Sequence, residues 1–214
     1  MKNGKPSRKE RDYLRHRQEI LQTALELFSQ RGFHNVSMHE IATASEFAVG
    51  SLYKFFSNKE DLYRALMIDT SKVFHSSLMA ALTTSGNELE KIRACVEARI
   101  KVFMENIDYV RLYLAETRGA SFNIKAGLDS DIKIRYNVFL QKLANVFESG
   151  IRKKVFKKFD PYLLAVALDG ISNAFLFEHF NNPDKHPFDA SLILDIFFQQ
   201  IYEKGEMEKC NLVK

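Results

Sequence analysis

Apolar residues recur three and four positions apart along almost the whole chain, a period that predicts helix after helix. Ile20, Ala24, Leu27 and Phe28 form one stripe, with Leu21 and Leu25 beside it, on a first helix that starts near Glu10 and stops at Gly32. Ser37-Met38-His39-Glu40 reads as a capping box, in which hydroxyl and carboxylate each satisfy a backbone donor of the other and open a second helix. That helix is short, since its pattern of Met38, Ile41 and Ala42 runs out by Ser45. Val49, Leu52, Tyr53 and Phe56 then resume the spacing in a third. Asn58 caps a longer fourth helix that reaches about Leu82, with Glu60 and Asp61 in the first turn, where the helix dipole favours anions.

Further helices are expected from Glu88 to Glu105, Tyr109 to Thr117, Phe122 to Gly150, Pro161 to Phe180 and Phe188 to Glu203. Asp160-Pro161 supplies an N-cap and a first-turn proline, whose missing donor costs nothing there. Asn181 to Pro187 is a loop by its Asn and Pro content. With only four prolines and nine glycines, and no strand-like alternation bounded by Asn-Gly or Asp-Gly turns, the chain is expected to be all-α with about nine helices.

Composition narrows the function. The chain has 214 residues, 46% hydrophobic and 27% charged, a mix that excludes collagen-like, low-complexity and wholly disordered proteins. No uninterrupted apolar run approaches the roughly 18 residues needed to span a bilayer, and no apolar signal segment follows the polar N-terminus, so a cytoplasmic protein without a membrane partner is expected. Cys95 and Cys210 lack zinc spacing and are too few to staple a secreted scaffold. Among six histidines there is no H-E-x-x-H. Gly-x-Ser-x-Gly, P-loop and G-x-G-x-x-G segments are also missing, so no catalytic residue, metal site or cofactor is expected.

Charge is unevenly placed. Residues 1–17 hold Lys2, Lys5, Arg8, Lys9, Arg11, Arg15 and Arg17 against Glu10 and Asp12, so the rest of a chain of net charge +4 is close to neutral. A basic arm on a near-neutral body suits a polyanionic partner. Behind that arm, a long supporting helix followed by two short ones across a tight turn has the order of a helix-turn-helix reader. Phe28, Val36, Ile41, Phe47, Leu52 and Phe56 can form its core, leaving Val49, Ser51 and Lys54 on the outer face of the third helix, where small and polar side chains can reach base edges.

These residues carry a resemblance. Ile20 through Phe28, then Gly32-Phe33, Ile41-Ala42 and above all Gly50-Ser51-Leu52-Tyr53-Lys54-Phe55-Phe56-Ser57-Asn58-Lys59-Glu60-Asp61-Leu62 resemble the DNA-binding region of the TetR family of bacterial transcriptional regulators. The chain departs from the family pattern at Glu46, where the turn usually has Gly, and at Ala48, where the third helix usually begins with Ser or Thr. The resemblance implies a DNA-binding domain at 1–62, with its basic arm, and a helical ligand-binding and dimerisation domain at 63–214. It implies phosphate contacts from Ser37, Tyr53 and Lys59, base contacts from Val49, Ser51 and Lys54, and arm contacts from Arg8, Lys9 and Arg11.

Two apolar surfaces remain. The last two helices are apolar on more than one face, and the resemblance implies that they pair with a second copy through Leu164, Leu168, Ile171, Phe175, Ile193 and Phe197. The resemblance also implies an effector pocket among the central helices, for which Phe74, Phe103, Tyr109, Tyr113, Phe122, Tyr136, Phe139, Asn173 and Phe177 are the expected lining, suited to an apolar or aromatic ligand, with Arg99, Glu116, Arg118, Asn137 and His179 as its polar wall. The expectation is thus a homodimeric repressor of a palindromic double-stranded operator, released by a small molecule. The alternative is a helical adaptor or small-molecule-binding protein acting without DNA, which would show a shallow dependence of DNA affinity on salt.

Overall fold

Every regular element is helical in the computed structural model, which describes residues 7–116, 130–186 and 189–201. Among the described residues the order is α1 (Arg8–Arg31), a 3-10 turn (Phe33–Asn35), α2 (Met38–Ala44), α3 (Val49–Leu52), α4 (Lys59–Ala81), α5 (Glu88–Glu105), α6 (Ile107–Glu116), α7 (Ser130–Arg152), α8 (Pro161–Asn181) and α9 (Ala190–Ile201). The all-α expectation holds. The expected start of α7 at Phe122, the end of α9 beyond Ile201 and Cys210 lie outside the described residues.

Two compact units form, and they are not two consecutive stretches of chain. The first runs to Ser71 and takes in the segment from Asn106; the second comprises Lys72–Glu105 and the chain from Ser130 onward. The expected boundary at 62/63 falls inside α4, whose residues contribute to both units. α6 joins the first unit because it packs along α1.

In the first unit Ile20, Leu21, Ala24 and Phe28 of α1 meet Val36, Ile41 and Ala42, with Leu52, Phe56 and Leu62 closing the core. Complete burial of Ile20, Ile41 and Leu52 stabilises this unit by about 1.5–3 kcal/mol per side chain. Arg17 bridges α1 to α4 by an ion pair with Asp69, and its guanidinium lies 5.5 Å from the centre of the Phe56 ring. Tyr63 of α4 and Tyr109 and Tyr113 of α6 lie close enough to influence one another; burial, then Glu116 and Tyr113, push the Tyr63 hydroxyl up to about 12.

The core of the second unit brings Ile92, Cys95 and Val96 of α5 against Phe139, Leu143 and Phe147 of α7, Ala165 and Leu168 of α8, and Ile193, Leu194, Phe197 and Phe198 of α9. Gly150 near the end of α7 lets the Phe156 ring come so close that a Cβ there would overlap it. Asp160 caps α8 as the sequence predicts, accepting from the amides of Tyr162 and Leu163 at 2.9 Å each. By length and composition alone α8 could cross a membrane. Asp169 near its middle is nevertheless buried and ion-paired to Arg99 of α5, as befits a core helix.

Candidate nucleic-acid interface

The interface begins with two capping boxes. At α1 the Ser7 amide donates to Glu10 Oε2 at 2.6 Å, and the Glu10 amide donates to Ser7 Oγ at 3.2 Å. The box satisfies amides that would otherwise fray, so Arg8, Lys9 and Arg11 stand exposed on the first turns of a helix. This corrects the expectation of an arm at these positions, since residues held in a helix cannot thread a minor groove as extended chain.

At α2 the Ser37 amide donates to Glu40 Oε2 at 2.8 Å, and the Glu40 amide donates to Ser37 Oγ at 3.2 Å. Arg31 adds a contact to Glu40 Oε1 at 2.7 Å. Hydrogen bonds from the Ser37 side chain, then from Arg31 and the Ser37 backbone, hold the Glu40 carboxyl down at about 2. Ser37 remains exposed at the N-terminus of α2, as a phosphate contact requires.

α2 ends in a Schellman arrangement. The Phe47 amide donates to the Ala42 carbonyl at 2.8 Å and the Glu46 amide to the Thr43 carbonyl at 3.2 Å, which places Glu46 at φ +60°. The turn therefore has the left-handed residue that the family pattern assigns to glycine, filled here by an exposed carboxylate. α3 follows from Ala48, which offers it no side-chain cap. It is a single turn. Phe55 and Phe56 both donate back to the Leu52 carbonyl, at 2.9 and 3.1 Å, so Tyr53 and Lys54 stand on the turn after α3 and not within a longer helix.

That short element has one anchored side and one open side. Leu52 is fully buried, whereas Val49 and Ser51 are half-buried and Tyr53 and Lys54 exposed, with half of the tyrosine's surface open. Lys59 departs from its expected role. Its Nζ donates to the carbonyls of Phe33 at 2.8 Å, Val36 at 2.9 Å and His34 at 3.4 Å, and stands 4.5 Å from the centre of the Phe33 ring. These carbonyls take up all three of its donors, so Lys59 clamps the 3-10 turn to α4 instead of reaching outward.

Residues 20–66 match the model for bacterial regulatory proteins of the tetR family. That stretch of the chain is therefore similar to the DNA-binding region of tetR-family regulators. An HTH-type transcriptional regulator of Staphylococcus aureus (strain bovine RF122 / ET3-1) is 24% identical over 172 residues, which cover 79% of this chain and 86% of the relative. Among solved structures, the ketosteroid transcriptional regulator KstR2 of Mycobacterium tuberculosis aligns at TM-score 0.67 with 20% identity, over 88% of this chain and 95% of that one. AibR, solved in complex with isovaleryl coenzyme A and operator DNA, aligns at TM-score 0.62 with 20% identity, over 87% and 98%. The structural likenesses establish the shared fold. The matched segment is that of a DNA-binding transcriptional regulator, the class to which the curated relatives are assigned.

The expected effector residues divide. Tyr136, Phe139 and Asn173 gather around Arg99 in the second unit. Arg99 donates to Asp169 and to Asn173 Oδ1 at 2.8 Å, its guanidinium lies 5.3 Å from the Phe139 ring centre, and the Tyr136 hydroxyl donates to Asp169. Asn173 Nδ2 also donates to Asp169, at 2.9 Å. Burial opposes the charge on Arg99, but Asp169, helped by Cys95 and Tyr136, more than offsets it and the guanidinium titrates higher than usual. Burial pushes the neighbouring Cys95 thiol up to about 11, so it stays protonated.

Phe103 and Phe177 form their own edge-to-face pair at 6.1 Å, and Phe74 is half-buried on α4. Tyr109 and Tyr113 belong to the first unit, where α6 packs on α1. Glu116 likewise lies in the first unit, 3.5 Å from His34, while Asn137 is exposed and His179 Nδ1 lies 2.8 Å from the His186 carbonyl. Phe122 and Arg118 lie outside the described residues.

The residues expected between subunits divide between core and surface. Leu164, Leu168, Ile193 and Phe197 are buried in the core of their own unit, and Ile171 and Phe175 are half-buried. The outward apolar positions are Leu163, Val166, Leu192 and Ile196. Two residues acquire roles here that the sequence does not assign them. Asp169 is a lone carboxylate in the apolar run from Tyr162 to Phe177, and Arg17, one cation of the basic run, pairs with Asp69 far along the chain.

Proposed function

We propose that this regulator is a homodimeric repressor of a palindromic operator, released by a small apolar or aromatic effector. The observation that carries the DNA face is the exposure of Tyr53 and Lys54 immediately after an α3 anchored through Leu52. Val49, Ser51 and Lys54 read base edges, with Lys54 suited to guanine O6 or N7. Ser37 and Tyr53 hold phosphates, joined by Arg8, Lys9 and Arg11 from the first turns of α1. The reader is the segment 1–62 with α6 attached to it, and the later helices bind the effector and the second copy.

Dimerisation is supported by the outward apolar stripes of α8 and α9. Leu163 and Val166 lie three apart on one, Leu192 and Ile196 four apart on the other, and apolar side chains exposed on adjacent helices favour a self-complementary contact. Two copies then read half-sites one helical turn apart. Phe103, Phe177, Phe139 and Tyr136 supply apolar surface for the effector, and Arg99, Asp169 and Asn173 supply polar anchors. The reading is supported by AibR, a protein of this fold solved in complex with isovaleryl coenzyme A and operator DNA. The effector favours one of two separations of the reading heads and thereby weakens binding to half-sites that the duplex fixes. A reader of chromosomal operators works in the cytoplasm.

Operators selected from random DNA, followed by fluorescence anisotropy at several salt concentrations, test the reading. A dimer with about three phosphate contacts per subunit gives a log-log slope near −5. A shallow slope with unchanged affinity for every sequence overturns it. Lys54→Ala relaxes base preference at one position per half-site, and a promoter reporter gives the sign, expected to be repression.

A further inference from the structure

α3 is too short to orient itself. A single helical turn has no stability of its own in water, and of the four residues from Val49 to Leu52 only Leu52 is buried. One anchored side chain leaves the angle of the element free to rock. Flanking groups must therefore fix it, and the structure provides them from an unexpected source.

Phe47 lies two residues before α3 and Phe55 three residues after it, and their rings meet edge to face with centroids 6.2 Å apart. Tyr13 of α1 stacks on Phe55 at 4.8 Å with 24° between the ring planes, and His16, one turn further along the same face of α1, meets the Phe47 ring at 5.3 Å. Tyr13 and His16 thus close a ring cluster over both ends of α3. Both precede residue 20, where the family match begins. Tyr13 keeps 46% of its surface exposed and adds little to the core, so its stacking on Phe55 acts chiefly on what Phe55 carries.

We infer that Tyr13 is a positioning residue for the recognition element: by stacking on Phe55 and, through it, Phe47, it fixes the angle at which α3 meets the base edges. The inference rests on the reading of α3 as the DNA-contacting element. Tyr13 itself contacts no DNA in this account, so its loss affects discrimination and leaves the number of phosphates engaged unchanged. A displaced helix loses directional hydrogen bonds to bases well before it loses electrostatic attraction to the backbone.

The test compares the full chain with its Tyr13→Ala, Tyr13→Phe and Leu14→Ala variants. Leu14 is an equally exposed neighbour outside the ring cluster. Each is titrated with the selected operator and with an unrelated duplex at several salt concentrations, and melted in parallel. Tyr13→Ala is expected to lose about three- to tenfold in affinity for the operator, little for the unrelated duplex, and none of the salt slope. Tyr13→Phe keeps the stack and the discrimination, as does Leu14→Ala. Equal weakening on both duplexes, or none on either, overturns the inference. Should Tyr13→Ala also melt early, Phe55→Leu alone and combined with Tyr13→Ala decides the matter: a double variant no worse than either single supports the stack, and additive losses refute it. A wild-type chain without sequence preference would sink the reading of α3 itself, a result distinct from wild type and Tyr13→Ala discriminating equally.

Discussion

The Lys59 ammonium donates to the Val36 carbonyl at 2.9 Å, fastening the first residue of α4 to the strand-like connection before α2. With the Phe33 carbonyl and ring also engaged, Lys59 is a clamp within the reading head. Lys59→Ala is expected to destabilise the protein by about 1.5–3 kcal/mol, the range for hydrogen bonds to a charged donor, while the salt slope of DNA binding stays unchanged. Urea unfolding and salt-titrated anisotropy measure the two quantities separately. A slope shallower by about one with full stability would return Lys59 to the phosphates.

Glu46 lies at φ +60° in the turn between α2 and α3. A side chain in that conformation costs about 1–2 kcal/mol relative to glycine, and this one also carries a negative charge near the proposed DNA face. Glu46→Gly is expected to raise the urea midpoint and tighten binding to all DNA together. A lower midpoint would mean that the carboxylate makes a stabilising contact exceeding the strain.

Removing Asp169 strands a buried guanidinium. Asp169→Ala is expected to cost about 3–5 kcal/mol in the second unit, whereas Arg99→Met combined with Asp169→Leu recovers most of that loss. Tyr136→Phe takes away one hydrogen bond to the same carboxylate and costs less. Urea melts of the three variants beside wild type give the order. If the double variant proves as unstable as Asp169→Ala, polar links across α5, α7 and α8 hold the unit together and apolar packing cannot replace them.

The Glu40 carboxyl titrates at about 2 in the folded protein, below its ordinary value of 4.5. Its contribution to stability is therefore complete above about pH 4.5 and disappears as the pH falls towards 2. Glu40→Gln is expected to melt earlier than wild type at pH 7 and together with it near pH 2. A constant difference at both pH values would show that the glutamate acts through its shape in the capping box and not its charge.

What the sequence revealed follows the range of the interactions. Ser37 with Glu40, and Asp160 with Pro161, act within one helical turn, so residue identity and spacing alone specify them, and both caps form as expected. The left-handed position at Glu46 was equally local. Targets farther along the chain were hidden. Nothing in the residues near Lys59 indicates that carbonyls 23 to 26 positions earlier accept its hydrogen bonds. Helical period shows that Leu164 and Ile193 are apolar but not which of two apolar faces turns inward, so the outward stripe fell on their neighbours Leu163 and Leu192. α6 was recognised as a helix, yet its attachment to α1 depends on side-chain packing that periodicity does not encode.

Because α6 completes the unit that holds α1 to α3, no single cut yields the reader as an intact fragment. A truncation after α4 strips the cover from Tyr63 and leaves a sticky, partly unfolded peptide. Exchanging specificities between related regulators therefore calls for grafting two separated segments, the opening helices and α6, so that the transplanted head arrives with its own lid.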